Sequence, residues 1–316
     1  MSYNSLLISA VLLAGSTYVH AATAVYSDVD GSGRIHMRVW KYTLNSTSSN
    51  HTAKLTVPGD WVAVGGGVDL KISRSVLITA SYPDTATQQS WIVSTQADKS
   101  TSDHELTAYA IGIKIEGISR GDIRKHNIIK SWCGNGEAKN ASAGNASSIT
   151  IPNIGYLMIS GGAKSAPKAG HKFGPVYSSA PKGWDQWTAA SKKLKDSNNH
   201  PLTSCVVGIR KDLANAQLGH NLGSIDTLHR MSAVNKLASS RIESEVFMEN
   251  DYILTGIGAK LTASKKKEVE PNVLLYSLAP KKFGKSAKVV AKAKEYLYPA
   301  GAFLSSYAIG IKLIEQ

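Results

Sequence analysis

The stretch LTAYAIGIKIEG (Leu106–Gly117) returns almost unchanged at the end of the chain as LSSYAIGIKLIEQ (Leu304–Gln316). A weaker version, LTSCVVGIRKD, lies between them at Leu202–Asp212. Chance seldom repeats the run YAIGIK in a chain of 316 residues and ordinary composition. The three segments therefore indicate internal repeats.

Two further landmarks recur at similar distances before these segments. Each copy has a proline near its middle, at Pro83, Pro181 and Pro280. Each copy also has a glycine-containing stretch led by an aromatic residue: WVAVGGGVDL from Trp61, YLMISGGAKS from Tyr156 and YILTGIGAKL from Tyr252. We therefore divide the chain into a leader over residues 1–21 and three copies over 22–117, 118–212 and 213–316.

Each copy consists of short runs rich in Val, Ile, Tyr, Trp and Thr, separated by clusters of Gly, Pro, Asp, Asn and Ser. Such a pattern predicts strands and turns, and hence an all-β fold. The run KSAKVVAKAKEYL in the third copy could form a helix, but its alignment with strand-like segments of the other copies favours a strand. Because the connections between copies are short, we expect one compact body of three sheets around a pseudo-threefold axis. The alternative is three small β-sandwiches in tandem.

The chain begins with an apolar run, Leu6 to Gly15, followed by small residues and a potential cleavage site after Ala21. This order is typical of a secretory signal peptide, although its first residues carry no Lys or Arg. The apolar run is shorter than the roughly 20 residues of a transmembrane helix. We therefore expect an extracellular protein, secreted by way of the periplasm, with no transmembrane segment.

The chain contains two cysteines, Cys133 and Cys205, which fall in the first and last predicted strands of the middle copy. In an exported protein a pair of cysteines is more often a disulfide than a metal or catalytic site. We therefore predict a Cys133–Cys205 disulfide.

The net charge of +13 favours anionic partners and is distributed unevenly. Residues 61–117 contain four Lys and Arg and six Asp and Glu, a net charge of −2. The corresponding counts are nine and three in residues 156–212, a net charge of +6, and eleven and four in residues 252–316, a net charge of +7. The sequence predicts binding to surface glycans or anionic polymers, such as polysaccharide, lipopolysaccharide or acidic lipid, and not sequence-specific nucleic-acid binding. The candidate contact residues are Lys265, Lys266, Lys267, Lys281 and Lys282. The alternative is an ordinary solvated face.

Each copy has a histidine near the start of its first strand: His36, His126 and His229. If these positions converge on the axis, three imidazoles could hold zinc or copper and support a hydrolase. If they do not, they are separate surface histidines. A calcium site is a second possibility in DVDGSGRIHMRV (Asp28–Val39), but Val39 replaces the glutamate that closes such a loop. We expect a turn there that binds calcium weakly or not at all.

Aromatic and histidine positions that recur in two of the three copies are further candidates for ligand contact. They are Trp91 and Trp187, which could stack on sugar rings, and His104 and His200 in polar loop-like segments. Packing in the core is the alternative for the aromatic residues. The motifs of common hydrolases and nucleotide-binding enzymes do not occur in the chain, so we expect a binding protein rather than an enzyme.

The three repeated β units, with WVAVGGGVDL and its two counterparts, resemble the threefold β-prism of the vitelline membrane outer layer proteins. They are also similar to lectin-type repeat modules of secreted bacterial proteins. The leader, the strands and the cysteine pair together resemble a substrate of type II secretion. These resemblances imply a lectin-like, carbohydrate-binding protein with a role in virulence or a biofilm. The competing hypothesis is the three-histidine metal-dependent hydrolase.

Overall fold

The computed structural model describes the residues 18–20, 22–46, 50–71, 76–97, 104–135, 144–152, 154–166, 174–192, 201–213, 222–236, 240–263, 273–295 and 302–315. They form twenty-one strands and one short helix, α1 (Arg120–Lys125), so the predicted all-β fold is confirmed. Among these residues no helix is long and apolar enough to cross a lipid bilayer.

The strands form three sheets. The first sheet has the order β1 (Tyr18–His20), β4 (Asn50–Thr56), β7 (Ser90–Ala97), β6 (Val76–Pro83), β11 (Tyr156–Ser165), β14 (Leu202–Arg210) and β9 (Ile129–Asn135). The second has the order β10 (Gly144–Thr150), β13 (Gln186–Lys192), β12 (Val176–Lys182), β18 (Ile253–Ala263), β21 (Ala302–Ile314) and β15 (Ser224–Met231), with β16 (Asn235–Lys236) also paired to β21. The third has the order β17 (Arg241–Phe247), β20 (Ser286–Glu295), β19 (Val273–Phe283), β5 (Val62–Lys71), β8 (His104–Ile115), β3 (Ile35–Ser46) and β2 (Thr23–Val29).

Every sheet is shared between two copies. In each sheet the strands on one side of the junction come from one copy and those on the other side come from the next copy, except that β1 of the first sheet lies in the predicted leader. The copies join where β6 pairs with β11, β12 with β18, and β19 with β5. The third sheet joins the last copy back to the first, so the arrangement is cyclic. Three sandwiches in tandem are therefore not what this chain forms; the three-sheet body is compatible with a prism.

The three sheets meet along β5, β11 and β18, the strands that begin at or directly after the aromatic residue of each glycine-containing stretch. Val64 and Ile159 are fully buried at this meeting line. The hydroxyl of Thr255, also fully buried, donates to the backbone oxygens of Ile159 (2.8 Å) and Ile309 (3.1 Å). The Thr255 hydroxyl is thus satisfied by two neighbouring strands, whereas the buried Ser160 hydroxyl beside it has no hydrogen-bond partner among the described residues.

Three β-hairpin turns lie at one end of the body. Because the joining strands are antiparallel, the turn after β6 lies beside the start of β11, the turn after β12 beside the start of β18, and the turn after β19 beside the start of β5. The strands β5, β11 and β18 pack against one another at equivalent positions, so the first residues of all three lie at the same end of the body. We call it the hairpin end, and its turns span residues 84–89, 183–185 and 284–285.

The two cysteines form the predicted disulfide. Cys133 on β9 lies directly opposite Cys205 on the neighbouring antiparallel strand β14. β9 is the last strand of the first sheet, and among the described strands it pairs only with β14. The bond therefore fastens an edge strand covalently to the sheet.

The lysine-rich run in the third copy is a strand, as the alignment of the copies favoured. Residues 286–295 form β20, which pairs with β19 on one side and β17 on the other. The alternative of a helix is therefore wrong. Apolar side chains such as Val289 and Ala293 are fully buried, while Lys288 and Lys292 lie partly exposed on the strand.

The DVDGSG stretch forms a turn that closes the body. Asp30 is 3% exposed, and its carboxylate accepts hydrogen bonds from the amides of Ile35 (2.9 Å) and Leu313 (2.7 Å) and from the Ser32 hydroxyl. The next amide, that of Gly31, donates to the backbone oxygen of Asp251 at 2.9 Å. The carboxylate that could have served calcium thus holds the first copy against the third, which supports the interpretation of this stretch as a turn.

Candidate functional site: cation–aromatic clusters at the hairpin end

The first cluster consists of Arg38, Trp40 and Trp61. The Arg38 guanidinium lies 5.2 Å from the ring centre of Trp61 and 6.0 Å from that of Trp40. The two indoles meet edge to face at 5.1 Å. Trp40 is buried, whereas Arg38 and Trp61 are partly exposed. A cation over the face of a tryptophan is held by the charge distribution of the ring.

The second cluster consists of Lys130, Trp132 and Tyr156. The Lys130 ammonium lies 5.7 Å from the centre of the Trp132 ring, which packs edge to face on Tyr156 at 5.1 Å. All three side chains are partly exposed. The Tyr156 hydroxyl donates to the backbone oxygen of Asn127, which fixes the phenol ring and therefore the tryptophan beside it.

The two clusters occupy equivalent positions of the repeat. Arg38 lies opposite Gly112, and Lys130 lies opposite Gly208, the matching glycines of the first and second copies. In both copies the cation precedes the tryptophan by two residues in a strand, which places both side chains on one face. Trp61 and Tyr156 are the aromatic residues that lead the glycine-containing stretches. The clusters are thus a repeated feature rather than two unrelated contacts.

Neither cation is neutralised by an acid. Within the part of the chain that the structure describes, no carboxylate oxygen lies within 4.0 Å of the charged nitrogens of Arg38 or Lys130. The face of an aromatic ring attracts a cation electrostatically and does not use up all of its N–H donors. The N–H groups of Arg38 and Lys130 therefore stay available to a ligand. Each cluster can therefore present oriented donors and positive charge to an anion.

The third copy has a different arrangement at the same place. Leu228 lies opposite Gly310, so the cation of the first strand is absent there. Lys312 covers Tyr252 instead, at 4.5 Å from the ring centre, and the Tyr252 hydroxyl donates to Asp226 at 2.6 Å. Burial and the Asp226 hydrogen bond raise the pKa of Tyr252, and the hydrogen bond with Tyr252 raises the pKa of Lys312. This counterpart carries its own carboxylate.

The predicted lysine contacts of the third copy are only partly described. Lys282 is an ion-pair partner of Asp28 at 2.8 Å, and Lys281 is partly buried opposite Lys288. Lys265, Lys266 and Lys267 lie outside the described residues. The lysines of β20 are also paired, Lys288 with Glu245 at 2.8 Å and Lys292 with Glu243 at 2.9 Å.

The two tryptophans predicted to contact a ligand lie in the core. Trp91 is 1% exposed and Trp187 is 0% exposed. Each indole packs over a glycine, Gly66 and Gly161 respectively, where a Cβ atom would collide with the ring. Each Nε1–H donates to a serine hydroxyl, at 2.9 Å in Trp91 and 3.0 Å in Trp187. This corrects the prediction, because neither ring has a free face for a sugar.

The repeated histidines of the loop-like segments have no shared surface that the structure describes. His104 begins β8 and is 5% exposed, so it belongs to the interior. His200 lies outside the described residues. His104 is therefore too buried to contact a ligand at the surface, whereas the contact expected for His200 stays a prediction.

The three histidines predicted to bind a metal do not converge. His36 lies on β3, His126 caps the end of α1, and His229 lies on β15. Sheet order explains the separation, because the first strand of each copy lies at the outer side of its sheet while the axis is built from β5, β11 and β18. In the described parts of the chain no three His, Cys, Asp or Glu side chains are grouped to hold a metal ion. The zinc or copper site is therefore corrected to three separate histidines.

Sequence reasoning missed the cation–aromatic clusters and one exposed indole. The signal for the clusters was present in RVW (Arg38–Trp40) and KSW (Lys130–Trp132), where a cation and a tryptophan alternate in a strand. Trp184, three residues before the buried Trp187, is 66% exposed and packs against His229 at 4.6 Å. Burial raises the energy of charging His229, so the pKa of this imidazole is lowered. Spacing alone does not distinguish Trp184 from Trp187.

The architecture agrees with a prism-like body, but no sequence relationship supports a particular family. Comparison with known protein families and with characterised proteins found no match to this chain.

Proposed function

We propose that this protein is a non-enzymatic binding protein for an anionic glycan. The observation that carries the proposal is the repetition of a partly exposed cation, held on an aromatic ring and unpaired with any described carboxylate, at the same position of two copies. A binding role explains why the arrangement recurs, since packing alone does not require an unneutralised charge.

The chemistry of each cluster fits an acidic sugar. The cation supplies charge-assisted hydrogen bonds to a carboxylate or sulfate group, which are stronger than bonds between neutral groups. The partly exposed edges of Trp61 and Trp132 offer an apolar surface beside that charge. Sugar rings have apolar faces and polar edges, so a ring and a cation side by side match both.

Two equivalent clusters also favour a polymer over a single small ligand. A repeating chain that occupies one cluster presents its next acidic unit at a high effective concentration to the other. Modest affinity at each cluster then adds to useful overall affinity. The alternative of a three-histidine hydrolase has no grouped histidines to support it and is not pursued.

The proposal is tested by titrating the protein with dextran sulfate and with neutral dextran. We expect binding to the sulfated polymer alone, weakened by salt because exposed charges are screened. The variant Arg38→Gln/Lys130→Gln should lose about tenfold or more in affinity, since a hydrogen bond to a charged group contributes roughly 1.5–3 kcal/mol.

The matched control is Lys288→Gln/Lys292→Gln, which removes the same number of positive charges from lysines that are already ion-paired. Its affinity should stay within about twofold of the wild type, because these ammonium groups are already bound to glutamates and salt screens the long-range effect of exposed charges. Equal losses in both variants would show that net charge, and not the clusters, governs binding. Equal binding of both dextrans would reject an anionic ligand.

A further inference from the structure

Two hairpin turns present an exposed aromatic residue beside a glycine and a lysine. In the second copy the order is Lys182, Gly183, Trp184, and in the third it is Phe283, Gly284, Lys285. Trp184 is 66% exposed and Phe283 is 63% exposed. Large aromatic side chains usually bury most of their surface, so two such rings at matching turns call for an explanation.

The backbone of each turn projects these rings away from the sheets. Gly183 and Gly284 have positive φ angles of 70° and 59°, and a Cβ atom at either would meet nothing within 4 Å. The turns therefore stand in open space with a conformation that suits glycine.

Both rings are nevertheless held in place. Trp184 packs against His229 with ring centres 4.6 Å apart. Phe283 meets Phe247 edge to face at 5.6 Å, and the Lys288 ammonium lies 5.2 Å from the Phe283 ring centre. Rings that are already ordered lose little conformational freedom when a partner covers them.

A third apolar side chain completes the set. Ile154 is fully exposed in the turn that leads into β11, and the adjacent Gly155 oxygen accepts the Lys211 amide at 2.9 Å. Ile154, Trp184 and Phe283 thus lie at the hairpin end of the first, second and third sheets respectively. Each sheet contributes one protruding apolar residue to the same end of the body.

Three apolar residues that protrude separately, one on each sheet, fit a wide and deformable partner such as a lipid bilayer better than a peptide or a protein groove. The lysines point to the charge of that surface, because within the described residues no carboxylate oxygen lies within 4.0 Å of the ammonium groups of Lys182 or Lys285. Aromatic residues next to lysines are typical of protein segments at the headgroup level of a bilayer.

We propose that the hairpin end docks on an anionic phospholipid surface, with Ile154, Trp184 and Phe283 entering the interfacial zone and Lys182 and Lys285 meeting the phosphates. Insertion supplies apolar burial and the lysines supply attraction, the two components of reversible membrane association. This goes beyond glycan binding, because the residues are not those of the cation–aromatic clusters.

The test is co-sedimentation with vesicles of phosphatidylcholine, with and without phosphatidylserine. The wild type should bind the mixed vesicles, and the variant Ile154→Ser/Trp184→Ser/Phe283→Ser should lose more than about tenfold in partitioning, because three apolar side chains no longer enter the bilayer. The control is Met231→Ser/Val234→Ser, two residues 56% and 58% exposed, of which Met231 ends β15 and Val234 follows it. It should bind as the wild type does.

A second readout reports insertion directly. Vesicles with brominated acyl chains should quench the fluorescence of the wild type, and Trp184→Phe should strongly reduce the quenching while partitioning persists. Failure of the wild type to bind mixed vesicles, or unchanged partitioning of a folded triple variant, overturns the proposal; in the latter case charge alone holds the protein. Loss of lipid binding with intact dextran sulfate binding would reject membrane docking and leave the glycan proposal standing. Intact lipid binding without dextran sulfate binding would reject the glycan proposal and leave membrane docking standing.

Discussion

The first two copies and the third copy use positive charge in opposite ways. Arg38 and Lys130 rest on aromatic rings with their N–H groups available, whereas Lys288 and Lys292 of the more basic third copy each bind a glutamate of β17. Residues 61–117 of the first copy have a net charge of −2, yet the same copy presents Arg38, a cation that can bind a ligand. The difference teaches that the net charge of a segment does not measure the charge it offers to a ligand.

Strand geometry produces this difference. On β17 and β20 Glu243 lies directly opposite Lys292, so the two side chains meet on one face of the sheet. The hydrogen bond that the Lys292 ammonium donates to the Glu243 carboxylate raises the pKa of Lys292 and keeps the pair charged. Across from Arg38 and Lys130 the sheet has glycines, which offer an aromatic ring room to pack but no carboxylate.

The largest expected effect concerns the strand that carries the second cluster. Cys133→Ala/Cys205→Ala should lower the free energy of unfolding by up to about 4 kcal/mol, because the bond closes a loop with a sequence separation of 72 residues. Urea unfolding of the wild type and the variant measures the difference. Binding that depends on Lys130 should weaken, since β9 then keeps only its pairing with β14, while the Arg38 cluster stays intact. A loss of stability smaller than about 1 kcal/mol would show that pairing with β14 suffices.

Removing a ring while keeping its cation is expected to have the next largest effect. Trp132→Leu leaves Lys130 charged but unsupported, and affinity for dextran sulfate should fall by about fivefold, the contribution of a partly desolvated cation–π contact. The control is Phe247→Leu, which removes a ring from beneath Lys288, a lysine that is already paired with Glu245. Calorimetric titration compares the two, and an equal loss would contradict a special role of the clusters.

A smaller effect should come from making the third copy resemble the others. Asp226→Asn removes the carboxylate beside Lys312, whose ammonium lies 4.0 Å from it, and retains an oxygen that can accept from Tyr252. Affinity for dextran sulfate should rise by about two- to threefold, as expected for unmasking one exposed cation. An unchanged affinity would indicate that the third position does not contribute, whatever its charge.

The smallest expected effect concerns His229, the partly buried histidine of the third copy. Burial lowers the pKa of His229 in the folded protein below its ordinary value of 6.5. As pH falls through about 6.5, the unfolded chain therefore binds a proton that the folded protein does not, and stability decreases with falling pH. In thermal unfolding, the wild type should lose more stability than His229→Gln between about pH 8 and pH 5. Parallel curves would show that His229 titrates equally in both states.

Much of the fold follows from the sequence alone. The recurring YAIGIK and aromatic-led glycine stretches identified three copies, and strand-like composition identified the fold class, because both are properties of the local chain. The Cys133–Cys205 bond was also predictable, since the two cysteines are the only pair available. Local periodicity and covalent chemistry do not depend on how distant segments are placed.

The position of the candidate site could be predicted only in part from the sequence. The alternation of a cation and a tryptophan in RVW and KSW put both side chains on one face, yet whether a carboxylate lay nearby depended on the strand across the sheet. The same limit applied to Trp184 and Trp187, three residues apart in one hairpin, of which one is exposed and the other packs on Gly161. Exposure is decided by what covers a residue, and that neighbour comes from elsewhere in the chain.

The sequence by itself determined that there are three β copies and one disulfide. Only the tertiary structure decided that each sheet is built from two copies, that the last copy closes on the first through Asp30, and that the three strand-start histidines stay apart. The physical reason is that equivalent residues of a repeat have equivalent positions but not necessarily convergent ones. Convergence depends on which strand lies at the axis, and here that strand begins at or directly after Trp61, Tyr156 and Tyr252 rather than at the histidines.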